Sequence, residues 1–303
     1  MPPRKSEANP RVTLVICTFR RYDLAAAALK SIAAVGVYDD AFFEVLVVDN
    51  TPAADRKKLK APKGTRQTVC DRVGLSAARN KGLEEARGDY VVYLDDDILM
   101  RPSWPAAVKE IVSDREPPPA FGGRVTPLFP EEPPAWFYPK LAEYLSCVDW
   151  SPLPRPLKAG EWIVGANMAI STEVLRSFGG FNESLGRSGA NGLLSNEEIA
   201  LFRHIRVERI LYHPDMWVDH VIPAERLEQA WFRKRAMWQA VSDILAGETH
   251  VSRTAADDQI RDAMIRLPAR HRNLNGMMGD AADAEAMQQQ MRLAYSTTIR
   301  LGL

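Results

Sequence analysis

The sequence predicts an α/β fold: a mostly parallel central sheet flanked by helices, followed by a helical C-terminal extension. Three observations lead there. Through the first hundred residues, short apolar runs alternate with helix-forming stretches; uninterrupted apolar runs are typical of parallel strands buried on both faces. Each run ends in polar residues, at Thr18 with Arg20, at Asp49 with Asn50, and at Asp95, Asp96 and Asp97, and open α/β sheets bind ligands beyond the carboxyl ends of their strands. Finally, 46% hydrophobic and 26% charged residues in a chain of 303 suffice for a sizeable core in one large domain or two moderate ones.

The elements follow in order. "VTLVIC" (12–17) is a β-branched strand and "LAAAALKSIAAV" (24–35) a helix. "FFEVLVVD" (42–49) and "TRQTVC" (65–70) are the next strands. "LSAARNKGLEEARG" (75–88) reads as a helix with Ser76 as N-cap and Gly88 just past its end. "YVVYL" (90–94) completes the series, and "RPSWPAAVKEIVSD" is a helix capped by Ser103. Prolines between 116 and 139 then break regular structure, as in a long functional loop. "EWIVGANMAI" (161–170) returns to strand, a short helix from Ser171 or Thr172 to Phe178 stops at Gly179-Gly180, and 184–196 is glycine-rich. A helix begins at "SNEE", "RILY" and "MWVDHVI" are separate short strands, and 224–245 is a long helix. The remaining residues are polar and alanine-rich, with weak helical periodicity. The expected division is 1–100 and 101–222, two halves of one domain, and 223–303, a helical region.

Composition excludes several classes. Lys plus Arg and Asp plus Glu balance at 39 each, so no global basic field points to nucleic acid. Cys17, Cys70 and Cys147 are odd in number and widely spaced, which argues against a disulfide framework or zinc knuckle and for reduced, core-filling thiols. No stretch approaches 18 apolar residues. A cytoplasmic protein without a transmembrane segment is expected, with peripheral contact at the inner face of a membrane left open.

The aspartate triplet poses the sharpest question. Adjacent carboxylates repel, more so where water is excluded. Hard oxygen ligands at a strand's carboxyl end suit Mg²⁺ or Mn²⁺, with a diphosphate completing the shell. The competing reading is a solvated turn, or Asp97 capping a helix.

Together "VTLVICTFRR", "FEVLVVDN", "GLSAARNKGLEEARGDYVVYLDDD", "GANMAI…FGGFNE" and "NEEIALF…YHPDMWVDH" resemble, in order and over roughly residues 11–240, the family 2 glycosyltransferases. The resemblance implies the Rossmann-like GT-A fold, a nucleotide-sugar donor, a divalent metal (Mg²⁺ or Mn²⁺) and inversion at the anomeric carbon. It assigns Asp49 to the base or ribose, against an Asx turn favoured by the following "NTP". Thr18, Arg20 and Arg79 fall at nucleotide-contacting positions; for Arg79 an ordinary surface ion pair competes. Asp95 becomes the nucleotide-side residue, Asp97 the direct metal ligand, and Asp96 a sugar-side or supporting residue. His220 completes the metal shell with Asp95 and Asp97, unless it is a hydrogen-bonded core histidine.

Inversion requires a base opposite the leaving nucleotide. The matching residue is Glu198, in a Glu197-Glu198 pair where the family usually has Glu-Asp. The same "SNEE" also fits a capping box from Ser195 to Glu198. Glu197 and Trp136 are weak acceptor-side candidates; Trp136, Phe137 and Tyr138 either form an acceptor platform or anchor their loop. Asn167 in "GAN" reaches donor hydroxyls or marks a bulge. His204 stands where an arginine is common, flanked by Arg203 and Arg206, and Asn182 where an aspartate is common. The glycine-rich 184–196 is placed over the donor, and "WFRKRAMWQ" (231–239) packs within the fold, with phosphate or membrane contact the lesser option.

The implied function is metal-dependent transfer of a sugar, with UDP-hexose favoured over GDP- or dTDP-sugars, to a saccharide, lipid-linked or small-metabolite acceptor. A nucleotidyltransferase is the first alternative, weakened by the absence of glycine from "CTFRRYDLA". A nucleotide-sugar-binding protein without catalysis is the second.

Overall fold

The computed structural model describes residues 10–184, 197–247, 251–269, 272–273 and 278–302. These residues form two compact units. The first holds the described residues of Met1–Thr126, Val148–Ser184 and Glu197–His220; the second holds those of Pro127–Cys147 and Val221–Leu303.

In chain order the elements are β1 (Val12–Thr18), α1 (Tyr22–Ala34), β2 (Phe43–Asp49), β3 (Arg66–Val69), α2 (Leu75–Glu85), β4 (Tyr90–Asp95), β5 (Ile98–Met100), α3 (Trp104–Val112), β6 (Ala120–Leu128) and α4 (Leu141–Tyr144). They continue with β7 (Arg155–Pro156), β8 (Asn167–Ser171), α5 (Thr172–Ser177), α6 (Glu197–Phe202), β9 (Ile210–Val221), α7 (Gln229–Ala246), α8 (Arg253–Arg266) and α9 (Ala284–Gly302). The strands make one sheet in the order β3-β2-β1-β4-β8-β6-β9-β5, with β7 beside β9.

Strands β3, β2, β1 and β4 run parallel, whereas β8 is antiparallel to β4 and to β6. From β1 the chain adds β2 and β3 on one side and β4 on the other. That reversal is the topological switch point of an open α/β sheet, and it opens a crevice at the carboxyl ends of β1 and β4. Register puts Thr18 opposite Asp49 and Cys17 opposite Asp95, so the three polar strand ends lie level.

The apolar runs fill the core as their composition requires: Val12, Leu14, Val15, Ile16, Leu46, Val48, Val91 and Val92 are fully buried. Thr13 is buried too; its hydroxyl donates to Glu44 at 2.6 Å and accepts from the Gly88 amide at 2.9 Å. No disulfide joins Cys17, Cys70 and Cys147.

Several element boundaries differ from expectation, each for a local reason. Helix α2 is capped at Gly74, whose φ of 146° suits glycine, and Ser76 is buried inside its first turn. It ends at Glu85, so Gly88 is not its stop. Gly88 instead crosses the backbone of β1, where a Cβ would lie 2.7 Å from the Thr13 nitrogen. Ser103 occupies its N-cap position without a side-chain capping bond; its hydroxyl donates to the Asp215 carbonyl at 2.8 Å. The 161–170 run becomes strand only at Asn167, after a turn closed by the Asn167 amide on the Val164 carbonyl. "RILY" and "MWVDHVI" are one strand, β9. Pro214 is tolerated because it falls between the segment paired with β7 and the segment paired with β5.

In the second unit α7 starts at Gln229, after an extended Glu228. The weakly periodic tail forms α8 and α9, packed through small and large apolar residues together: Ala256, Ala263, Met287 and Ile299 are fully buried. Arg233 is 6% exposed and donates to Gln290 at 2.8 Å and to the Gly279 carbonyl at 3.2 Å. Arg235 is buried as well, so both arginines of the basic-aromatic segment pack within this unit.

Gly88 discriminates between a helix stop and a backbone crossing. Asparagine is tolerated at a helix stop, but at a crossing any Cβ forces backbone to move. Gly88→Asn is therefore expected to cost about 1–3 kcal/mol in a denaturant titration; an unchanged midpoint would contradict the crossing.

Candidate metal and nucleotide site

The triplet spans the end of β4 and a tight turn into β5. Asp95 is the last residue of β4, half-buried, while Asp96 and Asp97 in the turn are 1% and 3% exposed. The turn reverses the chain so that β5 pairs antiparallel with β9, and Ile98 falls opposite His220. His220 thus arrives beside Asp97 from far along the chain, with its Nε2 at 3.1 Å from Asp97 Oδ1. Its neighbour Asp219 is fastened by Arg101 at 2.7 Å and by the Thr126 hydroxyl at 2.6 Å, which fixes this end of β9.

Asp95, Asp97 and His220 each present a ligand atom, all within 4.8 Å of one another. Two carboxylates and an imidazole are a donor set that Mg²⁺ or Mn²⁺ accepts, with room left for diphosphate oxygens. Sequence and structure agree on these three residues as the group that could hold a divalent cation.

The triplet's repulsion is offset in part within the protein, because Arg21 supplies counter-charge. Its guanidinium binds Asp96 through Nη2 and Nε and reaches Asp97 Oδ2 through Nη1 at 2.7 Å. Burial pushes the Asp96 carboxyl up to about 7; Arg21 opposes the rise, Asp97 adds to it, and the hydrogen bond from Thr18 opposes it. Arg21 is the functional residue that sequence reasoning passed over in favour of Arg20. A signal existed: Arg21 is the N-cap of α1, an end where the helix dipole disfavours a cation unless an anion is adjacent.

The other candidates make the following contacts. The Thr18 hydroxyl donates to Asp96 Oδ2 at 2.7 Å, so it supports the triplet. Arg20, at φ 62°, pairs with Asp55 and stacks at 5.2 Å on Phe19. Asp49 accepts from the Thr51 amide and the Tyr22 hydroxyl, each at 2.9 Å; the Asx turn is present at the level of the site. Arg79 is 3% exposed, so it is not a surface residue. Its guanidinium lies 5.3 Å from the Phe181 ring and 5.9 Å from that of Tyr93, and a Cβ on Gly165 would meet it at 2.2 Å. The small residue in "GAN" therefore admits Arg79, not a sugar.

Asn167 is fully buried. It accepts from Trp104 Nε1 at 3.0 Å and donates to the Met216 carbonyl at 2.7 Å, so it ties core elements together instead of contacting the donor. Trp136 packs against Phe137 and Phe232 at 6.2 and 5.7 Å, which is the anchoring reading of its loop. Asn182 closes a turn by accepting from the Ser184 amide and hydroxyl, a role an aspartate would fill equally. Glu198 is half-buried as the second residue of α6. The Glu197 side chain, Ser195 and the glycine-rich 185–196 lie outside the described residues.

Asn50, watched only as a strand end, proves to organise the site's border. Its amide donates to the carbonyls of Cys70 and Arg72, both at 2.8 Å, and accepts from the Gly74 amide at 2.8 Å. One side chain thereby shapes the whole β3–α2 loop.

Residues 13–124 match the model of glycosyl transferase family 2. The chain is 25% identical over 241 residues to glucosyl-dolichyl phosphate glucuronosyltransferase of Haloferax volcanii, covering 77% of this chain and 76% of that protein. It is 27% identical over 256 residues to the succinoglycan biosynthesis protein ExoM of Rhizobium meliloti, covering 80% and 78%. Among solved structures, the mannosyltransferase PcManGT from Pyrobaculum calidifontis, in complex with GDP-Man and Mn²⁺, aligns with a TM-score of 0.51 at 20% identity, over 93% of this chain and 73% of that one. That likeness is one of fold.

Arg21→Met leaves buried carboxylates without their fixed counter-charge. Removing one partner of a buried pair costs about 3–5 kcal/mol, and less where that partner is partly exposed, as Arg21 is. The expected result in a thermal melt is a lowered midpoint in chelator, with Mn²⁺ recovering part of the loss; equal midpoints for variant and wild type in chelator would contradict the role given to Arg21.

Proposed function

We propose metal-assisted, inverting sugar transfer from a nucleotide-sugar donor for this chain, which belongs to glycosyl transferase family 2. The observation that carries the reading is the cluster of Asp95, Asp97 and His220 at the sheet's switch point. These residues would hold Mg²⁺ or Mn²⁺ against the donor diphosphate. When bound, the cation supplies Lewis-acid stabilisation of the leaving nucleotide.

The chain's own residues do the rest. Arg21 and Thr18 hold Asp96 and so fix the turn that aims Asp97. Asp49 and the loop shaped by Asn50 border the nucleotide, and Arg79 is held beneath that border by Tyr93 and Phe181. Glu198 takes the proton of the acceptor hydroxyl as its oxygen attacks the anomeric carbon, while the bond to the nucleotide diphosphate breaks on the opposite face. The longer glutamate arm in place of aspartate shifts the acceptor outward by about one methylene.

For the donor we favour a UDP-hexose on the resemblance of the sequence motifs. For the acceptor, a saccharide fits the relatives, one named for glucosyl-dolichyl phosphate and the other for succinoglycan. A lipid-linked acceptor would be met from the membrane surface, since no helix among the described residues is long and apolar enough to cross a membrane.

Two activity predictions follow, read as nucleoside diphosphate release from a panel of UDP-, GDP- and dTDP-sugars. Glu198→Gln is expected to lower turnover about 10²–10⁴-fold, the range for loss of a general base, with donor binding retained; wild-type turnover would remove Glu198 from that role. Chelation is expected to abolish turnover and Mn²⁺ or Mg²⁺ to restore it; full activity in chelator would remove the metal.

A further inference from the structure

Asn80 makes more directed contacts than its position on a surface helix requires. Its Oδ1 accepts from the Phe181 amide at 2.8 Å and its Nδ2 donates to the Phe181 carbonyl at 2.9 Å. The side-chain amide thus pairs with the backbone of Phe181 as a neighbouring strand would. The approach is close enough to demand glycine before it: a Cβ on Gly180 (φ 81°) would lie 2.5 Å from Asn80 Oδ1. The same Nδ2 also donates to Glu183 Oε1 at 3.1 Å, and that oxygen accepts from Arg72 Nη2 at 2.8 Å.

Each end of this chain of bonds lies at something the proposed reaction uses. Arg72 belongs to the β3–α2 loop, which Asn50 shapes and which joins β2 where the Cys70 amide meets the Asp49 carbonyl at 3.0 Å. A nucleotide against Asp49 therefore presses on that loop. At the other end, the Phe181 ring packs edge-on against Tyr93 at 5.2 Å and lies in the same apolar cluster as Leu201 and Phe202 of α6. Phe178 meets His204, just past α6, with ring centres 4.8 Å apart. Helix α6 carries Glu198.

We propose that Asn80 and Glu183 are positioning residues that couple occupancy of the nucleotide side to the seating of α6. The proposal rests on the reading above, in which the nucleotide binds at Asp49 and Glu198 acts on the acceptor. Neither residue touches substrate: Asn80 grips Phe181, Glu183 joins that grip to Arg72, and a nucleotide that steadies the loop steadies both. By reciprocity, a loop held by Glu183 binds nucleotide better than one released from it.

The test is amide hydrogen exchange of residues 178–184 and 201–206 in wild type, Asn80→Ala, Glu183→Ala and Glu183→Gln. Each is measured with Mn²⁺ alone and with Mn²⁺ plus UDP or GDP, whichever raises the wild-type thermal midpoint. In wild type the nucleotide is expected to slow exchange in both segments by about fivefold or more, the lower range of allosteric coupling. Both alanine variants are expected to lose that added protection while still binding nucleotide. Glu183→Gln keeps an acceptor for Asn80 and Arg72 and is expected to restore it.

Glu183 is partly exposed, so its variants report even if Asn80→Ala fails to fold. A merely structural latch would lower the midpoint of the alanine variants and leave nucleotide-induced protection in place; that result overturns the proposal, as does equal exchange with and without nucleotide in wild type. Because exchange does not depend on turnover, the outcome stands whether or not Glu198 is the base.

Discussion

Three consecutive carboxylates, two of them buried, at the switch point of the sheet are the constraint on which the site depends. Charge there is tolerated only with compensation on more than one side. Arg21 supplies one side from the start of α1, and Thr18 adds a hydroxyl from the end of β1. The other side, bounded by Asp95, Asp97 and His220, is the one a divalent cation can complete. The arrangement divides the triplet: Asp96 is a structural carboxyl held by Arg21 and Thr18, and Asp97 lies between Arg21 and the candidate metal position.

That division explains why the surrounding topology is needed. A tight turn after β4 sends β5 back against β9, and only this antiparallel pairing brings His220 to Asp97. The Arg101 and Thr126 contacts to Asp219 then make the histidine's position a property of the sheet rather than of a loop. On the opposite border Asn50 and Asn80 do comparable work with neutral amides, each binding backbone groups that strand pairing leaves over. Asn50, the buried one of the two, uses both its amide nitrogen and its oxygen, as the cost of an unmet hydrogen bond in the interior requires.

Much of this was legible in the sequence. Apolar runs ending in polar residues located the parallel strands and their ligand edge, because burial on both faces leaves few ways to write such a strand. The triplet and His220 were legible as a possible metal group through motif order. What escaped were contacts whose meaning lies in direction rather than residue type. Arg20 and Arg21 are chemically alike, and only the backbone at φ 62° sends one to Asp55 and the other to Asp96. Asn167 looked available for a sugar until β6, β8 and β9 closed around its amide. Gly88 looked like a helix stop because close approach to a neighbouring strand has no local signature. The alanine-rich tail shows a weak apolar period because alanines such as Ala256 and Ala263 share its core with Leu267, Met287, Leu293 and Ile299.

Mn²⁺ binding to wild type, Asp97→Asn and His220→Ala, followed by electron paramagnetic resonance of the free ion with UDP or GDP present, decides whether these two residues hold a divalent cation together with a nucleoside diphosphate. Nucleotide is expected to tighten Mn²⁺ binding to the wild type, and each substitution to weaken it by at least about tenfold. Wild-type Mn²⁺ affinity in both variants would place the cation away from Asp97 and His220.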